Sequence, residues 1–215
     1  DKNPNDGKAN DGVVTIDYSY TKPTYTGYAV YPRTIGNESD PVITDASNVK
    51  SITFPSSTVT ISANAFKGCT KLEFIDLSKS NVTSIGASAF EGCTNLREIR
   101  LPSTLTSIGN NAFKDCTSLK SLLDEENPYN KGRLYIPKVT SIGASAFENC
   151  INIVAIEFPS LTSLGNNAFK QCEKLEQIIL PATVTSLGTN IFYSCITLEI
   201  VEVKCSILSE GLFLQ

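Results

Sequence analysis

The sequence predicts an α/β repeat solenoid: stacked coils of short strands and short helices, closed at the N-terminal end by a β-rich cap. Three observations carry that expectation. Phe-x-x-Cys-x-x-(Leu/Ile) recurs at Phe66, Phe90, Phe113, Phe147, Phe169 and Phe192, with intervals of 24, 23, 34, 22 and 23 residues. Self-similarity at this period marks coils that cannot bury their apolar faces alone and must stack on neighbours. Within each interval an apolar step of period two gives way to apolar residues three apart, the signature of a strand followed by a helical turn. Finally, 215 residues at 41% apolar and 19% charged suffice for one continuous core.

Residues 1–12 contain no large apolar side chain and read as a flexible linker. A chain that opens on Asp1 and contains no Met reads as a processed or trimmed product. Residues 13–48 have another texture, rich in Thr, Tyr and Val, with strand-like runs at Val13 to Tyr18 and Tyr25 to Tyr31 punctuated by Pro23 and Pro32. A first coil would otherwise expose its core, so this segment is expected to be the N-terminal cap; a separate binding appendage is the alternative.

From Val49 the coil can be written Leu96-x-x-Ile99-x-Leu101-Pro102-x-x-Leu105-x-x-Ile108-Gly109-x-x-Ala112-Phe113-x-x-Cys116. The Ile-x-Leu step turns alternate side chains to opposite faces of a short strand, which Pro102, Pro137, Pro159 and Pro181 terminate. Thr-Ser-(Ile/Leu)-Gly, beginning at Thr83, Thr106, Thr140, Thr162 and Thr185, predicts a second extended piece whose Gly turns the chain through positive φ. The Ala-Phe-x-x-Cys segment, with apolar residues three apart, predicts one or two helical turns. Six such coils span residues 49–205, and residues 206–215 begin a further, partial coil.

One interval lengthens by about half. The surplus, residues 123–133, contains Asp124, Glu125, Glu126, Tyr129 and Arg133. Insertions in repeat arrays map to loops on one face, often the binding face.

Little supports catalysis. The chain has no His, which removes the usual general base of Ser and Cys nucleophiles and the commonest zinc ligand. Its glycines come one per coil rather than as a phosphate-cradling loop. Asp124, Glu125 and Glu126 are adjacent acids of the kind usually found solvated in a loop. No cofactor and no metal are expected. A formal charge of −4 and a pI near 5.0 provide no basic stripe for nucleic acid, and no apolar stretch approaches the roughly 20 residues of a membrane-spanning helix.

Six of the seven cysteines hold one slot in successive coils, so they form a column rather than pairs. Beside a core Phe they read as reduced, buried thiols acting as small hydrophobes; Cys205 stands apart and could be exposed. Outward positions of the strands are left free by the repeat: Ser51 and Thr53, Phe74 and Asp76, Glu98 and Arg100, Arg133 and Tyr135, Ala155 and Glu157, Gln177 and Ile179, Ile200 and Glu202. Aromatic and aliphatic residues among charges resemble an interface core with a polar rim, although strands also simply tolerate such residues on their outer side. The candidate binding set is Phe74, Asp76, Glu98, Arg100, Asp124, Glu125, Glu126, Tyr129, Arg133, Tyr135, Glu157, Gln177, Ile179 and Glu202.

The coil consensus closely resembles the BspA-like, or Treponema pallidum type, class of leucine-rich repeats over about Val49 to Val203. The chain departs from it at Ser78, where Pro is expected, and in the insertion. The resemblance implies a right-handed solenoid with short parallel strands, found in secreted or surface-anchored proteins that take part in adhesion and protein interaction. It offers no ligand residues to carry over. The expected function is a non-catalytic surface module that binds a host or neighbouring-cell protein or glycan through its strand face and the 123–133 loop. The expected location is extracellular or at the cell surface, with membrane attachment only through an N-terminal lipid anchor absent from this sequence. A passive surface spacer is the alternative, and a carboxylate-based enzyme a weaker one.

Overall fold

A computed structural model describes residues 15–18, 34–35, 49–54, 56, 58, 60–123 and 133–206. Sixteen short strands are present among them: β1 (Thr15–Tyr18), β2 (Thr34–Ile35), β3 (Val49–Thr53), β4 (Thr60–Ile61), β5 (Phe74–Asp76), β6 (Ser84–Ile85), β7 (Glu98–Arg100), β8 (Ser107–Ile108), β9 (Ser121–Leu123), β10 (Arg133–Tyr135), β11 (Ser141–Ile142), β12 (Ala155–Glu157), β13 (Ser163–Leu164), β14 (Gln177–Leu180), β15 (Ser186–Leu187) and β16 (Ile200–Val203). From β3 onward all pairing is parallel, each strand hydrogen-bonded to its counterpart in the next coil. The result is a parallel β-solenoid of about six turns. Of the expected cap, β1 runs antiparallel along β3 and β2 runs parallel to β4; the rest of residues 13–48, the 1–12 linker and residues 207–215 lie outside the described residues.

The Ile-x-Leu strands form two sheets, β1-β3-β5-β7-β9 and β10-β12-β14-β16, whereas the Ser-(Ile/Leu) strands form one sheet of seven that runs without a gap from β2 to β15. Both β9 and β10 lie in the coil that carries the insertion, so one ladder ends there and another starts. The remaining columns cross that coil at ordinary spacing. Rings of Phe113 and Phe147 are 5.3 Å apart, against 5.2 Å for Phe90 and Phe113, and β8 pairs directly with β11. The extra residues therefore enter the chain between two of the longer strands, and the other columns keep their spacing across that coil.

The six phenylalanines form a stacked spine, with centroids 5.2 to 6.1 Å apart and planes within 7° to 12° of parallel. Beside it run the cysteines, all free thiols, and six of them buried. They do more than fill space. Each of five donates its S–H to the Phe carbonyl of the preceding coil: Cys93 to Phe66, Cys116 to Phe90, Cys150 to Phe113, Cys172 to Phe147 and Cys195 to Phe169, at 3.1 to 3.2 Å. That carbonyl also accepts the backbone N–H three residues on, as at Phe90, which receives Cys93 N at 3.1 Å. Both lone pairs of a buried acceptor are thus used.

Two expectations are overturned. The Ala-Phe-x-x-Cys segments are not helices; no helix occurs among the described residues. Their amides alternate instead. In one coil Ser88, Phe90 and Gly92 donate to Asn110, Ala112 and Lys114 of the next at 2.8 Å, while Ala89, Glu91 and Cys93 donate three residues back at 3.1 to 3.3 Å. Left-handed residues recur four apart, Ser88 at φ 55° with Gly92 at 75°, and Asn111 at 55° with Asp115 at 60°, which stops any helix from propagating. Three-residue apolar spacing is satisfied equally by consecutive turns, and every second N–H is then available to tie coils together.

The glycine of Thr-Ser-(Ile/Leu)-Gly is likewise not a positive-φ turn. Only Gly68 and Gly92 are positive-φ glycines among the described residues. At Gly109 an added Cβ would stand 2.8 Å from the backbone nitrogen of Ala87, and at Gly143 it would stand 2.5 Å from that of Asn110. Close coil approach, not backbone freedom, requires Gly there.

Candidate binding face

Parallel register places the strand positions expected to face outward in rows, although Ala155 among them is buried. Ser51, Phe74, Glu98 and Ser121 form one and Thr53, Asp76, Arg100 and Leu123 another on the first sheet. On the second sheet the rows are Arg133, Ala155, Gln177, Ile200 and Tyr135, Glu157, Ile179, Glu202. Between them the inward residues Ile75, Ile99, Ile156 and Ile178 are buried, which fixes the facing of their neighbours.

The first sheet brings four expected site residues into contact. Arg100 lies with its guanidinium carbon 5.2 Å above the centre of the Phe74 ring. Its nitrogens reach Glu98 at 3.5 Å and Asp76 at 3.8 Å. Asp76 also accepts from the backbone N–H of Ser78 at 2.9 Å and from its hydroxyl at 2.6 Å. This explains the coil that lacks Pro: Ser78 has an N–H to satisfy, and the outward Asp two residues back satisfies it. Charge on this sheet is largely compensated within the cluster, and Arg100 covers the aromatic face.

On the second sheet the row Glu157, Ile179, Glu202 places an apolar side chain between two carboxylates. A shallow hollow with room for about one water, roughly 10 Å³, lies among Ala155, Ile156, Glu157, Gln177 and Ile179. It is too small for a ligand, so this is a surface for contact rather than a pocket. Ile200 is exposed, and Glu202 pairs with Lys204 at 3.2 Å. Arg133 and Tyr135 occupy strand positions beside Ala155 and Glu157. Asp124, Glu125, Glu126 and Tyr129 lie outside the described residues.

Some residues of this face escaped the sequence reading. Glu73, just before β5, meets Lys50 of β3 at 3.9 Å, and Glu176 and Glu199 are exposed just before β14 and β16. Away from the strands a further column was missed. The residue after each spine Phe runs Lys67, Glu91, Lys114, Glu148, Lys170, Tyr193. Lys67 reaches Glu91 at 3.1 Å, Glu148 reaches Lys114 at 3.3 Å and Lys170 at 3.4 Å, and Lys170 lies 5.9 Å from the centre of the Tyr193 ring. Burial pushes the Glu148 carboxyl up, but the Ser145 hydroxyl and the two lysines outweigh it, leaving its pKa below the ordinary value. Glu91 is also lowered, chiefly by its hydrogen bond to Ser88 and further by Lys67 and Lys114.

Among the described residues no three His, Cys, Asp or Glu side chains are grouped to hold a metal ion. Nor is there among them a helix long and apolar enough to cross a membrane. Burial raises the thiols of Cys116, Cys150 and Cys172 well above the ordinary value, and that of Cys195 to about 11, so these four stay protonated near neutral pH. Cys69 is shifted the other way, lowered chiefly by its hydrogen bond with Cys93.

Residues 42–131 and 126–214 match the family model described as BspA type leucine rich repeat region, in six copies. The chain belongs to the BspA-type leucine-rich repeat family. Its fold resembles a leucine rich cell surface protein of Faecalibacterium prausnitzii, at 28% identity and a TM-score of 0.65, over 83% of this chain and 44% of that one. A leucine-rich repeat protein of Bacteroides ovatus matches at 28% identity and a TM-score of 0.50, covering 92% of this chain and 58% of that one. The T. pallidum leucine rich repeat protein shares the fold at 24% identity and a TM-score of 0.54, over 70% of this chain and 84% of that one. This BspA-type chain therefore spans less than half of the Faecalibacterium protein and somewhat over half of the Bacteroides one. Among curated proteins none matches it. Repeats of this class are binding scaffolds.

Proposed function

We propose that the chain is a non-catalytic recognition or adhesion module exposed outside the cell, binding a protein or glycan of a host or neighbouring cell. In this reading the strand face and the 123–133 segment make the contact, and residues 13–48 cap the stack. One observation carries it: the break between β9 and β10, where the insertion enters the chain, falls in the sheets of the outward strand positions, while the spine, the thiols and the seven-stranded sheet continue across that coil. A stack that holds three of its columns constant and lengthens only one face has a face free for recognition. The cell-surface description of the Faecalibacterium relative supports the location, and the pairing of β1 with β3 supports the cap, since it continues the first sheet past its first coil.

The test is a binding panel of matrix proteins, cell-surface proteins and glycans against the immobilised chain. Binding is expected to fall in the double variant Phe74→Ala, Arg100→Ala or in Ile179→Asp, and to persist in Lys67→Ala, which lies off the strand face. Binding insensitive to every strand-face change, or turnover of a panel member, would refute the proposal.

A further inference from the structure

We infer that the second sheet of this face recognises a cationic, extended segment of a partner protein, one that carries apolar side chains between lysines or arginines. The inference rests on the strand-face reading above and makes it specific. Ile179 and Ile200 supply apolar contact, and Glu176 and Glu199 are exposed at the positions just before β14 and β16. Glu157 and Glu202 flank Ile179 in the same row, two strand spacings or about 10 Å apart. A lysine or arginine on either side of an apolar residue can reach one of these carboxylates while its methylenes lie against the isoleucine.

The two sheets differ in what they leave unsatisfied. On the first, Arg100 already meets Asp76 and Glu98 and covers Phe74. On the second, no cation among residues 136–206 lies within ion-pair distance of Glu157, Glu176 or Glu199, and Lys204 meets Glu202 in a pair about half exposed on each side. Such an exposed pair is weak and yields to a better-placed cation. Apolar centres with a rim of one charge favour partners of the opposite charge and disfavour the same sign. A neutral glycan would leave the carboxylates unanswered, and an anionic one would be repelled.

Three labelled peptides test this by fluorescence anisotropy at low and physiological salt: alternating Lys and Val, alternating Glu and Val, and alternating Lys and Ser. The Lys/Val peptide should bind tightest and weaken with salt. The double variant Glu157→Gln, Glu202→Gln should weaken it about 5- to 30-fold, and Ile179→Ser should remove its advantage over Lys/Ser. Glu173→Gln, an exposed carboxylate off the strands, should leave it unchanged, with unaltered melting confirming that each variant is folded. Equal loss in Glu173→Gln means only general attraction to an acidic chain and overturns the inference. Preference for Glu/Val, or dependence on Arg100 instead of Glu157 and Glu202, overturns it while leaving the strand face as the binding surface. If no peptide binds, the inference fails, and the macromolecule panel decides separately whether the face binds anything.

Discussion

Replacing Gly143 separates two accounts of the recurring glycine. If it served a left-handed turn, Asn would be a tolerable substitute and Ala a poor one, because Asn visits that region readily. Gly143 is outside the left-handed region, and its added Cβ would stand 2.5 Å from both the backbone nitrogen and the side-chain oxygen of Asn110, and 2.7 Å from the carbonyl carbon of Gly109. Those atoms belong to the coil beneath and include backbone, so the neighbour can move only by opening the ladder between β8 and β11. Overpacking into ordered backbone costs about 1 to 3 kcal/mol, and the upper half of that range applies because no flexible side-chain end alone absorbs the clash. For a chain of this size about 2 to 3 kcal/mol corresponds to a melting shift of roughly 4 to 12 °C. Gly143→Ala and Gly143→Asn should therefore both lose stability, Asn at least as much as Ala. Gly92, at φ 75° with its nearest neighbour 3.8 Å from an added Cβ, should show the opposite order: Gly92→Asn below about 1 kcal/mol and Gly92→Ala about 1 to 2 kcal/mol. Thermal melts followed by circular dichroism suffice. A Gly143→Asn protein that melts like the parent would refute the close-approach argument.

Phe113 is fully buried between two stacked rings, so Phe113→Ala should cost about 3 to 5 kcal/mol in denaturant titration; a loss near 1 kcal/mol would mean the stack collapses around the gap. A thiol reagent should label Cys205 alone in the native protein and all seven cysteines after denaturation; fast labelling of several native thiols would contradict the buried column. Glu148 and Glu91 have lowered folded-state pKa values, so they stabilise the fold above the ordinary carboxyl value of 4.5, and that stability is lost as pH falls through their folded values. Melting temperature should therefore drop with acid below about pH 4.5, and Glu148→Gln should flatten that drop while costing about 1 to 2 kcal/mol at neutral pH. An unchanged acid limb would remove Glu148 from the account.

The period, the strand step and the core were legible because each is a pattern along the chain. Ile75, Ile99, Ile156 and Ile178 are inward where alternation puts them, and the cysteines are buried where a column requires. What the sequence concealed is written across coils. Phe and Cys three apart fit a helix and a run of turns equally well, and only the amide of Phe90 reaching Ala112 distinguishes them. The Lys and Glu alternation after each Phe was visible in the letters, but its meaning depends on residues some 23 positions apart being neighbours. The candidate face was half legible: alternation placed Phe74, Arg100, Ile179 and Glu202 at outward strand positions, whereas the pairing of Arg100 with Asp76 and Glu98 is a property of register and distance.

The insertion coil shows why recognition can vary on this fold without endangering it. Between Phe113 and Phe147 the chain gains residues, yet Cys150 still reaches the Phe113 carbonyl at 3.1 Å, Thr140 still reaches the Thr106 carbonyl at 3.2 Å, and Lys114 still meets Glu148 at 3.3 Å. Each column is a nearest-neighbour ladder, and a coil needs only to present its share of each in register. The strand face is the one column whose ladder is interrupted, with β9 bonded to the coil before and β10 to the coil after. Loss of its continuous hydrogen bonding is compensated by the columns that persist. A change in the residues between β9 and β10 therefore costs the stack less than a change in the spine, the thiol column or the seven-stranded sheet.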